Sequence, residues 1–320
     1  MDQRAHFRGV PFVPTKDRAL LVARAKLLIA ALVVGTCAPN DAAGPRSGAT
    51  PPVLTGPTVV LVGAGDIGSC SSAETGTEAL LAGIAGTVFT AGDNAYPSGF
   101  LSDYMSCYDP YWGKEKARTR PAPGNHEYND DHTSSAPGYY NYFGPIVGDS
   151  AKYWYSYDLG AWHIVVLNTF IDMSATSPQV TWLRADLAAS TKSCTLAYMH
   201  YPRFSSGAHH ASYSSVQPIW QALYDFGAEI AIAGHDHEYE RFAPQTPSGQ
   251  LDVAKGIRSF VVGTGGASLY SFATPLPNSE VRDANTFGVL KLTLGDGAYT
   301  WQFIPIAGQT FTDSGIGTCH

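Results

Sequence analysis

The stretch EIAIAGHDHEYER, residues 229–241, joins a short apolar run to two histidines, His235 and His237. A run of about four to eight apolar residues that ends at a glycine is typical of a strand buried inside a sheet. Open α/β sheets carry their ligand sites in the loops that follow the carboxyl ends of such strands. We therefore expect a strand over residues 229–235 that brings both histidines to a site at one edge of a sheet.

Four other segments place a side chain that can bind metal just after a predicted strand or in a loop between strands. A single aspartate in such a position more often caps a helix or forms a turn. Five segments in one chain are harder to explain as caps, so we interpret them as parts of one site. The candidate metal ligands are Asp66, Asp93, Tyr96, Asn125, His200, His235 and His237.

The donor atoms of these candidates suffice for two metal ions. We expect one ion to be bound by Asp66, Asp93, Tyr96 and His237, and a second by Asp93, Asn125, His200 and His235, with Asp93 bridging. Carboxylate, imidazole and amide donors suit hard or borderline divalent and trivalent ions. Two ions about 3.5 to 4 Å apart can hold an attacking oxygen in line with a phosphorus atom. The pattern therefore predicts a site for two metal ions, of a kind that can act on a phosphate group.

The order of apolar runs and helical patterns predicts the fold class. Strands predicted at 58–66, 87–93, 194–200 and 229–235 alternate with helices predicted at 73–85, 177–190 and 215–227. YWYSYDLG and AWHIVVLN are predicted to form an antiparallel pair joined at Gly160, and the C-terminal third is mostly strand. This pattern favours an α/β fold with two packed mixed β-sheets flanked by helices, an α/β/β/α sandwich. We expect a single catalytic domain over residues 58–320.

The N-terminal residues have the layout of an export signal. An apolar core at residues 27–34 follows Arg24 and Lys26, and it is too short to span a bilayer. We predict a signal segment over residues 1–43 and a linker rich in Pro, Gly, Ala and Thr over residues 44–57. The protein is then secreted, periplasmic or at the cell surface, without a stable membrane span. Lipid anchoring through Cys37 is an alternative.

Charge and cysteine usage argue against two further kinds of site. The formal net charge is −7, and no run of Lys or Arg is long enough to follow a phosphate backbone, so nucleic acid is not an expected partner. Beyond the signal, the cysteines are Cys70, Cys107, Cys194 and Cys319. Their even number in an exported chain predicts two disulfides, with three possible pairings. None lies in a C-x-x-C pair, which argues against a thiolate zinc site.

The series D-x-G, G-D-x-x-Y, G-N-H-E, M-H and G-H-x-H, from about Val59 to Arg241, resembles the calcineurin-like metallophosphoesterases. Many members open with D-x-H, but here Gly68 takes the histidine position and Tyr96 follows Asp93 by three residues, as in purple acid phosphatases. The resemblance implies Fe(III) in the Tyr96 site and Fe, Zn or Mn in the second. It also implies hydrolysis of phosphate monoesters, as small phosphorylated substrates, by direct attack of a metal-bound hydroxide.

Three more histidines resemble catalytic residues of that family. His126 follows Asn125 and matches the histidine that contacts the phosphate and helps the leaving group. His209 and His210 follow His200 by nine and ten residues, near further histidines of plant-type members, and His210 is the candidate general acid. The alternative for His209 and His210 is an exposed polar loop.

Two other functions compete with a phosphate monoesterase. A phosphodiesterase or nucleotide hydrolase would use the same metal site. A non-catalytic secreted binding protein on the same scaffold would be expected to have lost ligands, whereas all seven positions carry the expected residue types. We therefore favour an acid phosphatase.

Overall fold

The computed structural model describes Leu54, residues 56–128 and residues 135–320. The predicted signal segment, residues 1–43, lies outside the described residues, and so does the predicted linker except for Leu54, Gly56 and Pro57. Within the described part of the chain, none of the helices has the length and apolar character needed to cross a bilayer.

The described residues form thirteen strands and five α-helices. In chain order the strands are β1 (Val59–Ala64), β2 (Thr87–Ala91), β3 (Thr119–Ala122), β4 (Tyr155–Leu159), β5 (Trp162–Val166), β6 (Cys194–Tyr198), β7 (Ile230–Ala233), β8 (Tyr239–Phe242), β9 (Arg258–Val262), β10 (Ser279–Asp283), β11 (Gly288–Leu294), β12 (Ala298–Pro305) and β13 (Ser314–Thr318). The helices are α1 (Ser72–Gly83), α2 (Leu101–Asp103), α3 (Pro137–Phe143), α4 (Pro178–Ala189) and α5 (Gln217–Asp225). A π-helical turn, Tyr104–Tyr108, continues α2.

The strands make two mixed sheets. The first has the order β13-β12-β11-β1-β2-β3, and the second has the order β10-β8-β9-β7-β6-β5-β4. The strands β1, β2 and β3 are mutually parallel, as are β5, β6, β7 and β9, and the antiparallel strands lie outside these parallel groups. The prediction of two mixed sheets flanked by helices is therefore confirmed.

The alternating direction of side chains along the strands of the second sheet explains how the layers pack. Successive side chains of a strand point to opposite faces, so one face of β5 to β7 turns to the first sheet and the other to the helices. Ile164, Leu196 and Ile232 belong to the large core shared with the first sheet. Val165, Ala197 and Ala231 pack instead with apolar residues of α4 and α5. The near-continuous apolar runs of these strands follow from burial on both faces.

Local signals in the sequence place the helix α4. Ser177 precedes it, and the side chain of Ser177 accepts a hydrogen bond from the backbone N–H of Val180 at 3.2 Å. Pro178 occupies the first helical position, where a missing N–H costs nothing. The serine cap and the proline therefore fix the start of this helix, as the sequence predicts.

Four strands were not predicted individually from the sequence, although the C-terminal third was expected to be mostly strand. These are β3, β8, β10 and β13, which are short and carry polar residues, glycine or proline. The strand β8 is nevertheless buried throughout, because Glu240 accepts from Ser206 and Arg241 donates to Asp313. Long-range partners therefore satisfy the charges of this buried segment.

The structure selects one of the three possible disulfide pairings. Cys70 is bonded to Cys107, and Cys194 is bonded to Cys319. The first bridge joins the segment after β1 to the π-helical turn, and the second joins the start of β6 to the residue after β13. Neither pairing could be chosen from spacing alone.

His163 on β5 gives the fold a pH-dependent interaction. Its Nε2 lies 2.8 Å from Asp186 on α4, and its Nδ1 lies 3.1 Å from Asp158 on β4. The hydrogen bond to Asp186 raises the pKa of His163 and outweighs the opposite effect of burial. A raised pKa in the folded state stabilises the fold below the unfolded-state pKa, and this contribution is lost as pH rises through the folded-state pKa.

We expect His163→Gln to lower the free energy of unfolding by about 1 kcal/mol at acid pH and by less at alkaline pH. The reason is that only the charged imidazole gains from both carboxylates. Urea denaturation of the variant and the parent protein at pH 5 and pH 9 measures the difference. An equal loss at both pH values would contradict this account of His163.

Candidate metal centre

Five loops bring the predicted ligands to one edge of the sandwich. Asp66, Asp93 and Asn125 follow the parallel strands β1, β2 and β3, so they leave the first sheet at the same end. His200 and His235 follow the parallel strands β6 and β7 of the second sheet. The two edges meet, since the backbone N–H of His235 donates to Asp66 Oδ2 at 2.8 Å.

The first donor set, Asp66, Asp93, Tyr96 and His237, converges on the phenol of Tyr96. Its hydroxyl lies 3.1 Å from each of Asp66 Oδ1, Asp93 Oδ2 and His237 Nε2. His237 Nε2 also lies 3.2 Å from Asp66 Oδ1. Four donor atoms from three loops therefore occupy one small volume.

The second donor set, Asp93, Asn125, His200 and His235, converges on His200. Its Nε2 lies 3.0 Å from Asn125 Oδ1, 3.1 Å from His235 Nδ1 and 3.2 Å from Asp93 Oδ2. Ligand atoms of Asp93, His200 and His235 all lie within 4.8 Å of one another. The Oδ2 atom of Asp93 contacts both donor sets.

These donor sets fit two metal ions. Nitrogen and oxygen ligands lie about 2.1 Å from a first-row metal, so two ligands at right angles around one ion are about 3 Å apart. The separations of 3.0–3.2 Å found in both sets match this spacing. The mix of carboxylate, phenol, amide and imidazole suits hard to borderline ions.

The charges of the second donor set depend on one carboxylate. Burial by itself lowers the pKa of His200, but the adjacent Asp93 carboxylate outweighs it and raises the pKa to about 9. Burial likewise tends to raise the pKa of Asp93, and the attraction to His200 reverses this and lowers it. The pKa of His235 is held well below its usual value by burial and by repulsion from His200. His235 is therefore a neutral imidazole, which is the form that binds metal.

The phenol of Tyr96 is held in its protonated form by its surroundings. Burial, followed by the Asp93 and Asp66 carboxylates, raises the pKa of Tyr96 well above its usual value. The phenolate in this position requires a nearby positive charge. A cation bound among the same oxygen atoms would supply that charge and reverse the shift.

The backbone is strained where the loops turn into the site. Asp66, Asp93 and His235 have φ angles of 59°, 48° and 72°, in the left-handed region that favours glycine. Such strain persists where surrounding structure holds it, and it clusters at functional sites. Gly234 permits the approach, because a Cβ there would lie 2.6 Å from Asp66 Oδ2.

Glu127 accepts hydrogen bonds from the two loops that carry Asp93 and Asn125. Its Oε1 accepts from the backbone N–H of Asn94 at 2.8 Å and from the Tyr104 hydroxyl at 3.0 Å. Its Oε2 accepts from the backbone N–H of Gly124 at 2.7 Å. This buried carboxylate thus fixes the residues next to Asp93 and Asn125.

The order of these loops along the chain is also the order of a known family. The family model described as calcineurin-like phosphoesterase matches residues 55–239, which include all seven candidate ligands. The chain belongs to the calcineurin-like phosphoesterase family. The members of this family are hydrolases that use divalent or binuclear metal ions.

Purple acid phosphatases are among the similar proteins. Purple acid phosphatase 23 of Arabidopsis thaliana is 26% identical over 211 residues, 55% of this chain and 46% of that protein, so the match spans less than half of the relative. A nucleotide pyrophosphatase/phosphodiesterase of Hordeum vulgare is 26% identical over 64% of each chain. The purple acid phosphatase PPD1 of Lupinus luteus has the same fold, with a TM-score of 0.67 at 22% identity over 82% of this chain and 54% of that chain.

The three histidines predicted to act in catalysis lie at different distances from the candidate metal centre. The ring of His126 lies 4.4 Å from that of Tyr96, and its Nδ1 lies 2.6 Å from the carbonyl oxygen of Pro97. The ring of His210 lies 4.0 Å from that of His235, and burial lowers the pKa of His210. His209 is exposed and lies farther out, with its ring 5.2 Å from that of His210.

Sequence reasoning missed three residues around the candidate metal centre. The ring of Tyr270 stacks on that of His237 at 4.1 Å, and the hydroxyl of Tyr213 lies 2.7 Å from His235 Nε2. Asp236 accepts from the backbone N–H of His210 at 3.2 Å. The spacing of Tyr213, three residues after His210, was the only signal available for it, and spacing does not show contact.

We expect Glu127→Gln to destabilise the protein by about 2 kcal/mol, because the amide nitrogen would face the donor N–H of Gly124 or Asn94. Thermal unfolding of the metal-free protein measures this. The control is Glu78→Gln, since Glu78 pairs with the exposed Lys114 at 3.3 Å and should contribute less than about 1 kcal/mol. Equal losses from the two substitutions would show that Glu127 has no special supporting role.

Proposed function

We propose that this protein is an exported acid phosphatase that hydrolyses phosphate monoesters at a centre of two metal ions. The observation that supports this most directly is the shared contact of Asp93 Oδ2, 3.1 Å from Tyr96 and 3.2 Å from His200. A single carboxylate oxygen between two donor sets is what a bridged pair of ions requires. The similarity to purple acid phosphatases supports the same substrate class.

The first ion would be held by Asp66, Asp93, Tyr96 and His237, and the second by Asp93, Asn125, His200 and His235. When bound, such a pair activates water for attack on phosphorus and neutralises charge on the phosphate oxygens. The anionic donors are concentrated in the first set, where two carboxylates surround a buried phenol. We propose Fe(III) for this set, because a trivalent ion best stabilises a phenolate against two carboxylates. For the more neutral second set we propose Fe, Zn or Mn.

His126 is the residue of this chain best suited to assist the reacting phosphate. The carbonyl oxygen of Pro97 can only accept, so Nδ1 of His126 carries the hydrogen and donates it. Its Nε2 then faces the centre, 3.8 Å from Asp93 Oδ2. The ring is partly exposed, so a phosphate oxygen can approach it. We propose that His126, in the form that carries a proton on Nε2 as well as on Nδ1, donates the Nε2–H to a phosphate oxygen and so helps the leaving group depart.

We propose His210 as the general acid for the leaving group of a small phosphorylated substrate, with His209 farther out. Hydrogen bonds donated by backbone N–H groups hold the loop that carries these two histidines at Ala208 and at His210. Asp236 accepts from the backbone of His210, and the backbone N–H of Ala208 donates to the carbonyl oxygen of Ser271 at 2.9 Å. This anchoring keeps His210 beside His235 rather than in a freely moving loop.

Export is part of the proposal. Two disulfides are typical of proteins that fold in an oxidising compartment, and both lie outside the proposed metal site. They support a secreted, periplasmic or cell-surface location, in agreement with the signal predicted over residues 1–43.

A phosphodiesterase or nucleotide hydrolase is the second candidate function. It is favoured by one observation, the similarity to the nucleotide pyrophosphatase/phosphodiesterase of Hordeum vulgare over 64% of each chain. The same donor sets would serve that reaction, so the substrate distinguishes the two.

A metal analysis combined with a visible spectrum and a phosphate-release assay tests the proposal. We expect two metal ions per chain, a violet to pink colour from a tyrosinate-to-iron transition, and faster hydrolysis of p-nitrophenyl phosphate than of its bis ester. A faster rate on the bis ester would favour the phosphodiesterase. An active, iron-loaded protein without the visible band would exclude Tyr96 as a ferric ligand.

We expect His126→Ala to lower kcat by about 100-fold while both metal ions are retained, because His126 acts on the substrate and not on the ions. Turnover and metal content are measured on the same preparation. Unchanged turnover would remove His126 from the mechanism, and loss of metal in proportion to activity would make it a structural residue of the site.

A further inference from the structure

The three histidines of the metal centre differ in how their outer ring nitrogens are held. Nδ1 of His200 lies 2.8 Å from the carbonyl oxygen of Ala91, and Nδ1 of His237 lies 2.7 Å from that of Ser268. The outer nitrogen of His235 is Nε2, which lies 2.7 Å from the hydroxyl of Tyr213. Two of these rings are therefore oriented by the main chain and one by a side chain.

These contacts assign the nitrogen that each ring presents to the centre. Carbonyl oxygens only accept, so His200 and His237 carry hydrogen on Nδ1, and Nε2 is the nitrogen that each would offer to a metal ion after losing any proton there. His235 is reversed, because its Nδ1 faces His200 Nε2 at 3.1 Å. When an ion is bound by both of these nitrogens, the N–H of His235 lies on Nε2 and can donate to the phenol oxygen of Tyr213.

The phenol of Tyr213 is held in place independently of His235. Its ring stacks on that of Tyr201 with centroids 4.2 Å apart and planes 14° from parallel. Its backbone N–H donates to the carbonyl oxygen of Pro202 at 2.9 Å. Pro202 lies only two residues after His200, so this bond ties Tyr213 to the start of the loop that follows His200. The ring of Tyr201 also lies 4.5 Å from that of His235. Tyr213 thus offers a fixed acceptor against which the imidazole can be aligned.

We propose that Tyr213 is a positioning residue that aligns His235 with the second metal ion and sets how tightly that ion is held. The proposal rests on the proposed function only in so far as the second donor set binds metal. Groups that accept the outer N–H of a ligating histidine fix its tautomer and orientation, and their loss typically weakens metal binding about 10- to 100-fold. The first donor set does not contain His235, so its affinity should not depend on Tyr213.

The test compares Tyr213→Phe with Tyr224→Phe in the full chain. Each substitution removes one phenol hydroxyl that makes a 2.7 Å hydrogen bond. The hydroxyl of Tyr213 contacts His235, whereas that of Tyr224 donates to Asp252, away from the metal centre. Phenylalanine keeps the ring that stacks on Tyr201. Zn²⁺ affinity is measured by titrating the metal-free proteins in competition with a chelator, and His235→Ala identifies which dissociation constant belongs to the second donor set.

We expect Tyr213→Phe to raise that dissociation constant about 10- to 100-fold while the other stays unchanged. Tyr224→Phe should change neither. At saturating Zn²⁺ the Tyr213 variant should regain the turnover of the parent protein. Unchanged affinity at both sites, or an equal loss at both as a folding defect would produce, overturns the proposal.

The titration uses no substrate, so its result is separate from that of the proposed function. A protein that binds two Zn²⁺ ions with an affinity that depends on Tyr213, but releases phosphate from no ester, would refute the phosphatase and leave this inference standing.

Discussion

The carboxylate of Asp93 is the group on which the candidate centre depends. Its Oδ2 contacts Tyr96 from the first donor set and His200 from the second, and its Oδ1 accepts from the backbone N–H of His126 at 3.0 Å. The side chain is buried, and its charge is balanced mainly by His200 and further by His126 and His235. One residue therefore links both donor sets and fixes the loop that carries Asn125 and His126.

Backbone groups orient most of the side chains around that carboxylate. Backbone carbonyls orient His200 and His237, and backbone N–H groups hold Glu127, Asp66 and Asp93. These contacts depend on how the strands lie beside each other and are insensitive to the identity of most side chains. The site is thus a property of the sandwich as much as of its ligands, and His235 is the exception, since a side chain orients it.

The fold class and the candidate ligands were predictable because both leave local marks. Apolar runs buried on both faces reveal strands, and glycine followed by Asp or His marks their ends, as at Asp66 and His235. Contacts between distant segments leave no such mark. The pairing of Cys194 with Cys319, the strand β8 and the phenol of Tyr213 all depend on neighbours that only the folded chain supplies. Sequence reasoning therefore named the candidate donors and missed the side chain that contacts one of them.

The position of β1 within the first sheet has a consequence for how the protein matures. This strand lies between β2 and β11, and its residue Val59 pairs with Leu294. The loop that carries Asp66 is also held by the carbonyl oxygen of Val262, which accepts from the N–H of Gly65 at 2.8 Å. Contacts between residues so far apart form slowly and late in folding. The loop that carries Asp66 thus stays unsupported until strands from the C-terminal third have joined it, so a centre that needs Asp66 can be completed only after those strands pair.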